Sequence, residues 1–327
     1  MKLCAVSFTV FLNYMGVFTH AYEKDYYTEF SYPLDVDLQP LVKQHIDGKV
    51  PTTEPINLFN YSYLKSCENK CSKNSNPVIV FVVKSALPHF NRRQAIRQTW
   101  GNQNRFSDVP MRRVFLLGTG FDPDIQRLID QESALHGDIV QADFHDDYRN
   151  NTLKTMSGFK WAVEKCSSGR FFVFADDDMY ISTKNLLRFI RNPLKYPESQ
   201  PTPTVKGYVF HTPPQRHKPS KWYVPLSEYP YHLWPPYVTA GAYVVSREAL
   251  LNLHYGSYYT KLFQFDDIFV ALVALKVKID PVHCEEFYFW KKSYSKFSYR
   301  NVIASHGYGD PDELRSVWNE QKSVGHA

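Results

Sequence analysis

The stretch that most constrains this chain is Phe171-Phe172-Val173-Phe174-Ala175-Asp176-Asp177-Asp178-Met179-Tyr180-Ile181, where an apolar run meets three consecutive carboxylates and resumes directly after them. The pattern predicts a buried strand that delivers its acids at its C-terminal end. Carboxylates this close repel one another, and holding them ionised at the rim of a core costs free energy unless a cation sits among them. Oxygen ligation favours a hard ion, Mn²⁺ or Mg²⁺, which keeps open positions for substrate phosphates. Along an extended chain Asp176 and Asp178 share one face and Asp177 takes the other. The competing interpretation is a polar turn after a core strand.

At 327 residues the chain is long enough for one large domain or two small ones with a substantial core. A formal charge of +5, spread evenly along the chain, argues against a nucleic-acid partner. Of the five cysteines, Cys4 lies in the N-terminal apolar segment, which leaves Cys67, Cys71, Cys166 and Cys284. Cys67–Cys71 is the local pairing to expect, with the other connectivities open. A zinc site is the weaker competitor, because no second Cys-x-x-Cys or His pair has metal spacing.

Residues 3–22 carry no formal charge, and about twenty residues of helix suffice for one membrane span. With Lys2 before the segment and Glu23, Lys24, Asp25 and Glu29 after it, the charges fit a type II signal anchor with a lumenal body. A cleaved signal peptide is the rival, through Thr19-His20-Ala21. Residues 23–76 lack sustained periodicity and are expected to form a stem, so the division is 1–22 anchor, 23–76 stem and 77–327 catalytic domain. Asn60-Tyr61-Ser62 and Asn150-Asn151-Thr152 are sequons in a lumenal chain, which makes Asn60 and Asn150, with its neighbour Asn151, the candidate glycosylation positions.

From residue 77 onward strands and helices alternate, predicting an α/β fold with helices on the faces of a sheet. Strands are expected over 77–85, 111–118, 138–144, 171–176, 205–211, 237–246 and 302–307. Helices are expected over 91–100, 124–136, 152–166, 184–191, 247–255 and 270–277, and 192–203 as a Pro-rich loop. The first strand ends in Lys84 and Ser85, where open α/β sheets place ligand contacts. Arg92, Arg93 and Arg97, early in the next helix, are candidates to meet a diphosphate, and the third strand ends near Asp143. A second acidic pair, Asp266-Asp267, stands in the apolar setting Phe263 to Val270. Helix capping competes there with catalysis. His306 closes the apolar run Val302-Ile303-Ala304-Ser305 and becomes a metal ligand only if the fold returns it to Asp178.

Six ordered motifs, RRQAIRQTWG (92–101), RVFLLGTG (113–120), DFHDDYRNNTLKT (143–155), FVFADDDMYIS (172–182), PPYVTAGAYVVS (235–246) and FDDIFVALVALK (265–276), resemble the β-1,3-galactosyltransferase / β-1,3-N-acetylglucosaminyltransferase family. The segments FSDV, HKPSKWYV, VIASHGYGDP and VWNE are most similar to its Brainiac-type glycolipid branch. The resemblance implies a GT-A glycosyltransferase fold with a mixed central sheet, a Golgi membrane anchor, a UDP-sugar donor, a glycolipid acceptor (or a glycoprotein one) and Mn²⁺ (or Mg²⁺). It implies that Asp178, Asp176 and His306 hold the metal, and that Asp267 is the base, with Asp266 standing where the family has Glu. Lys84, Ser85, Arg93, Arg97, Asp143, Lys154, Asp176 and Asp177 are the residues expected at the donor. Trp222, Tyr223, Trp234, Tyr237 and Gly241 are those expected at the acceptor, since aromatic faces stack on sugar rings. The rivals are a galactosyl- or N-acetylgalactosaminyltransferase with the same site, a non-catalytic carbohydrate-binding protein and a two-metal phosphohydrolase, for which the chain offers too few ligands.

Overall fold

The computed structural model describes residues 10–12, 14–71, 76–191 and 203–327. Its organising element is an eight-stranded mixed sheet in the order β1-β4-β3-β2-β5-β8-β7-β9. The strands are β1 (Tyr63–Lys65), β2 (Ile79–Lys84), β3 (Met111–Thr119), β4 (Ile139–His145), β5 (Phe171–Asp176), β7 (Val205–Phe210), β8 (Tyr237–Ser246) and β9 (Pro281–His283). β4, β3, β2 and β5 run parallel, whereas β1 and β8 are antiparallel to their neighbours. All six residues of β2 are buried, which is what a strand covered on both faces requires.

Alternation along these strands feeds two cores. Val80, Val82, Phe172 and Phe174 face one cluster, and Ile79, Phe81, Val83, Val173 and Ala175 face the other. The helices are α1 (Tyr26–Glu29), α2 (Leu38–Ile46), α3 (Phe90–Gln98), α4 (Pro123–His136), α5 (Asn151–Lys165), α6 (Thr183–Ile190), α7 (Arg247–Ser257), α8 (Asp266–Lys276) and α9 (Pro311–Ser323). α2, α5, α7 and α8 close the first core, and α3, α6 and α9 the second.

The chain passes from β2 outward to β3 and β4, then returns to place β5 on the other side of β2. The carboxyl ends of β2 and β5 therefore flank a topological switch point, the crevice where open α/β sheets bind ligands. Their register sets Lys84 beside Asp176. A second sheet of three short strands, β10 (Phe287–Tyr288), β11 (Ala304–Ser305) and β6 (Tyr180–Ile181), lies just beyond the acids. Pairing of Ser305 with Tyr180 is what carries the C-terminal segment back to the acidic cluster.

Two expectations change. Residues 23–71 are not a separate stem: Leu38, Leu41 and Val42 are buried in the first core, and β1 pairs with β4 as the sheet's edge. Within this segment Glu23 forms a buried ion pair with Arg216 at 2.8 Å. The cause is a run of apolar side chains too sparse to show a period but sufficient to cover α7 and the sheet edge. The disulfide joins Cys71 to Cys166, at the end of α5, with their Cα atoms 4.9 Å apart. Cys67 instead turns inward and donates its thiol to the Ile139 carbonyl at 2.9 Å.

The expected anchor lies partly outside the described residues. From Met15 the chain turns into a 3-10 helix at Thr19–Tyr22, and Gly16, at φ +79°, packs against the Arg216 carbonyl. Among the described residues no helix is long and apolar enough to cross a membrane. The 192–203 loop also lies, but for its last residue, outside the described residues.

Candidate active site

Five acids converge at the switch point, and their neighbours set them to different tasks. Lys84, buried at the end of β2, places its ammonium 3.0 Å from Asp176 and 2.7 Å from Asp266. Thr155 of α5 donates to the same Asp266 oxygen at 2.7 Å. Burial would raise the Asp266 carboxyl, but the Lys84 ammonium and these hydrogen bonds hold it below the usual range. Asp267, at the start of α8, has no ion-pair partner among the described residues and is only partly covered. Burial and the charge of Asp266 push it up to about 7, against the hydrogen bond it accepts from Ile268 N–H at 2.8 Å. Two adjacent carboxyls are thus separated into a fixed anion and a group poised to exchange a proton near neutral pH.

The Asp cluster divides in the same way. Asp177 is buried and accepts from Ser85 Oγ at 2.7 Å and Arg92 at 3.0 Å, with the His89 ring at 2.8 Å. Burial opposes ionisation there, yet His89, Ser85 and Arg92 hold the carboxyl below its ordinary value. Asp176 is pushed up to about 6 by burial, with Lys84 pulling it down and Asp266 and Asp178 pushing it up. Asp178 meets His306 Nε2 at 3.2 Å through one oxygen. Its other oxygen, Oδ1, is buried and has no hydrogen-bond partner among the described residues.

Return of His306 to this point is set by backbone. Tyr308 N–H bonds the Asp178 carbonyl at 2.7 Å, and His306 N–H bonds the Tyr288 carbonyl at 3.1 Å. Gly307 adopts φ +93°, where an added Cβ would meet Lys291 at 2.8 Å, so this turn requires glycine. Hydrogen bonding to Asp178 raises the His306 pKa. Among the described residues no group of three or more His, Cys, Asp or Glu has metal geometry. An orphaned carboxylate oxygen beside one imidazole nevertheless suits a hard ion whose remaining positions are taken by phosphate oxygens and water.

A model of the galactosyltransferase family matches residues 91–285. Over 326 residues the chain is 42% identical to the beta-1,3-galactosyltransferase brn of Drosophila melanogaster, covering 99% of this chain and 96% of that one. It is 34% identical to the human beta-1,3-galactosyltransferase 1, covering 84% and 82% of the two chains, and 30% identical to the Caenorhabditis elegans beta-1,3-galactosyltransferase bre-5, covering 95% and 90%. The chain belongs to the galactosyltransferase family. It is a β-1,3-glycosyltransferase by that membership, and the motifs that carried the resemblance lie mostly within the matched residues.

In this transferase Lys84, Ser85, Asp176 and Asp177, the residues expected at the donor, stand together at the ends of β2 and β5, with Lys84 and Asp177 consumed by partners in the protein. Arg93 is 0% exposed and bound to Glu132, Ser85 and the carbonyls of Ala86 and Leu87. Arg97 pairs with Glu132 and Asp138. Both arginines are therefore consumed by contacts within the protein. They share the core-facing side of α3, whereas Arg92, about 100° round the helix, is the arginine that reaches Asp177. Asp143 is exposed on the β4 edge, its N–H bonding the Ser62 carbonyl. Asp146 is instead the acid that turns inward, accepting from Lys154 at 2.6 Å and Gly118 N–H at 2.8 Å. Lys154 also holds the Ser85 carbonyl at 2.8 Å, which shapes the loop after β2.

The acceptor candidates divide as well. Trp234 is buried against Tyr229 and Phe263 and belongs to the core. Trp222 is 50% exposed, with the Lys221 ammonium 4.4 Å above its ring, and Tyr223 is half-buried beside it. Tyr237 sits close enough to Asp267 for that charge to raise its hydroxyl pKa, burial being the larger cause. Gly241 lies against Met179, where a Cβ would stand 3.3 Å from the sulfur. His89, Asp146 and Thr155 were missed, whereas Arg92 is the one of the three early arginines of α3 that reaches the acidic cluster. Asp146 and Thr155 lie inside the motif 143–155 and His89 lies just before the motif 92–101, and nothing in their residue type set them apart.

Replacing Lys84 by Met leaves the buried Asp266 with Thr155 and without its cation. Breaking a buried pair in this way costs about 3–5 kcal/mol, read as a lowered denaturation midpoint in chemical unfolding. An unchanged midpoint would mean that Asp266 is neutral in the native state.

Proposed function

We propose that this transferase is an inverting, metal-dependent enzyme of the Golgi lumen with a GT-A fold, held by an N-terminal signal anchor. In this reading it transfers N-acetylglucosamine from UDP-N-acetylglucosamine to the 3-hydroxyl of a β-mannose in a glycosphingolipid. The observation that carries the catalytic part is the split between the neighbouring acids, with Asp266 fixed by Lys84 and Asp267 partly exposed and raised to about 7. The sugar pair rests on the Brainiac-type segments.

Asp267 in its ionised form accepts the proton of the acceptor hydroxyl as that oxygen bonds to the anomeric carbon. The bond from this carbon to the diphosphate breaks on the opposite face, so an α-linked donor yields a β-product. A single displacement of this kind needs one base and no covalent nucleophile. Asp178 and His306 are the residues that would hold Mn²⁺ or Mg²⁺, an ion that supplies charge neutralisation and orientation for the leaving diphosphate. Asp177, clamped by His89, Arg92 and Ser85, keeps the loop after β2 in place under the donor. Asn60 is exposed and free to carry a glycan, whereas the Asn150 amide is engaged with the His145 carbonyl at 2.8 Å and Asn151 opens α5.

Because the base works as its anion and its pKa is raised, activity rises with pH through about 7 and falls as protons occupy Asp267 below it. A kcat/KM profile measured between pH 5 and 9 checks this, roughly two units to either side. A profile flat across that window would remove Asp267 as the base.

The relatives are named galactosyltransferases, which favours as the second reading the same site acting on UDP-galactose. Supplying Mn²⁺ and a panel of UDP sugars with β-mannoside, β-galactoside and β-glucoside acceptors decides between them. Transfer of N-acetylglucosamine to β-mannoside supports the first, and preference for UDP-galactose replaces only the sugar.

A further inference from the structure

One continuous chain of ring contacts runs from Tyr237 to Tyr288 and takes no part in the chemistry above. It begins at Tyr237, whose ring stacks on Phe210 with centroids 5.3 Å apart and planes at 26°. Phe210 meets Phe289 at 4.6 Å, and Phe289 meets Trp290 at 4.5 Å. Tyr208 backs the surface, touching Phe210, Phe289 and Trp290 at 5.0, 4.8 and 6.0 Å. At the far end Trp290 stands edge-on to Tyr288 at 5.3 Å, and the Tyr288 carbonyl accepts the His306 N–H.

The surface comes from separate parts of the chain. Phe210 and Tyr237 face each other across the β7–β8 ladder. Phe289 and Trp290 follow directly on β10, whose pairing with β11 sets the position of His306. Phe289 is 39% exposed and Trp290 44% exposed. Two large rings left this open lose the stabilisation of burial, about 25 cal/mol for each Å² left in water. Core packing does not account for them, because Tyr208 and Phe210 already seal the sheet beneath.

We propose that Phe289 and Trp290 form the acceptor's second subsite, a platform on which the sugar ring preceding the reacting sugar stacks. This rests on the reading of Asp267 as base and of the Asp178–His306 pair as the metal side. An acceptor presenting a hydroxyl to Asp267 passes Tyr237, and the next ring of its glycan reaches Phe289 and Trp290. Aromatic faces bind the C–H face of a pyranose and leave its hydroxyls in water, so the platform recognises a saccharide without fixing every hydroxyl. An apolar aglycone on the same rings is the competing occupant.

The test compares acceptor KM for a monosaccharide and a disaccharide carrying the same aglycone, using whichever sugar pair the wild-type enzyme accepts in the donor and acceptor panel. With the disaccharide, Trp290→Ala and Phe289→Ala each raise acceptor KM roughly tenfold, the size of one lost stacking contact. With the monosaccharide the increase is less than about twofold, and the donor KM is kept. Trp290→Phe restores most of the disaccharide affinity. Equal losses with both acceptors, no loss with either, or losses that follow aglycone length would each overturn the proposal. A different sugar pair in the panel would overturn the N-acetylglucosamine reading alone, because the ratio of the two acceptor KM values is independent of it. Near-UV circular dichroism and UDP affinity of each variant separate a lost platform from a lost fold.

Discussion

Asp267→Asn lowers kcat by about 10²–10⁴-fold, the usual worth of a positioned general base, while UDP-sugar affinity stays within about twofold. The substitution is nearly isosteric, and the amide oxygen still accepts the Ile268 N–H that Asp267 accepts now. The neighbouring anion is untouched, since Asp266 keeps Lys84 and Thr155. What disappears is a partly exposed carboxylate whose raised pKa lets it exchange a proton near neutral pH. Steady-state kinetics with both substrates varied, together with a direct titration of UDP, separates the loss of chemistry from a loss of binding. An active Asp267→Asn enzyme would move the base to Asp266, and Lys84 would then have to release it.

Asp178→Ala is expected to weaken Mn²⁺-dependent UDP binding by at least about 100-fold, with the weak metal-independent binding unchanged. Even outer partners of a metal ligand are worth 10–100-fold in affinity, so loss of a direct ligand costs no less. The fold survives because the structural contact at this residue is made by its carbonyl, which holds Tyr308 N–H at 2.7 Å. The His306 ring loses its acidic partner as well, so its raised pKa returns toward the ordinary value. Calorimetric titration of UDP with and without Mn²⁺ measures the effect. Tight metal-dependent binding by the variant would shift the ion to Asp176, whose carboxylate now contacts Lys84.

Much of the fold was legible because its signals are local. The strand ending at Asp176, the helix 152–166 and the helix 124–136 lie within a residue or two of their observed bounds, since period and capping residues announce themselves within a few positions. Asp122, for example, caps α4 with its side chain, and Pro123 follows it at the first turn. The strand expected over 302–307 shrank to β11, because only Ala304 and Ser305 find ladder partners in β6 and β10. Residues 23–71 were misjudged for a different reason. Their apolar side chains are scattered, and the face they cover exists only once α7 and the edge of β4 are in place.

Within the candidate site, residue type was legible and residue role was not. The sequence alone determined that acids are delivered at the end of a buried strand, that a second acidic pair opens an apolar helix and that a histidine waits near the C-terminus. Only the tertiary structure decided which of these groups remain available. Lys84 reaches 182 positions to claim Asp266, and Arg92 reaches 85 positions to clamp Asp177. Arg93 turns into the core while its neighbour Arg92 does not. Strand register and helix rotation choose these partners, and a carboxylate's charge state follows its partners, not its place in the sequence.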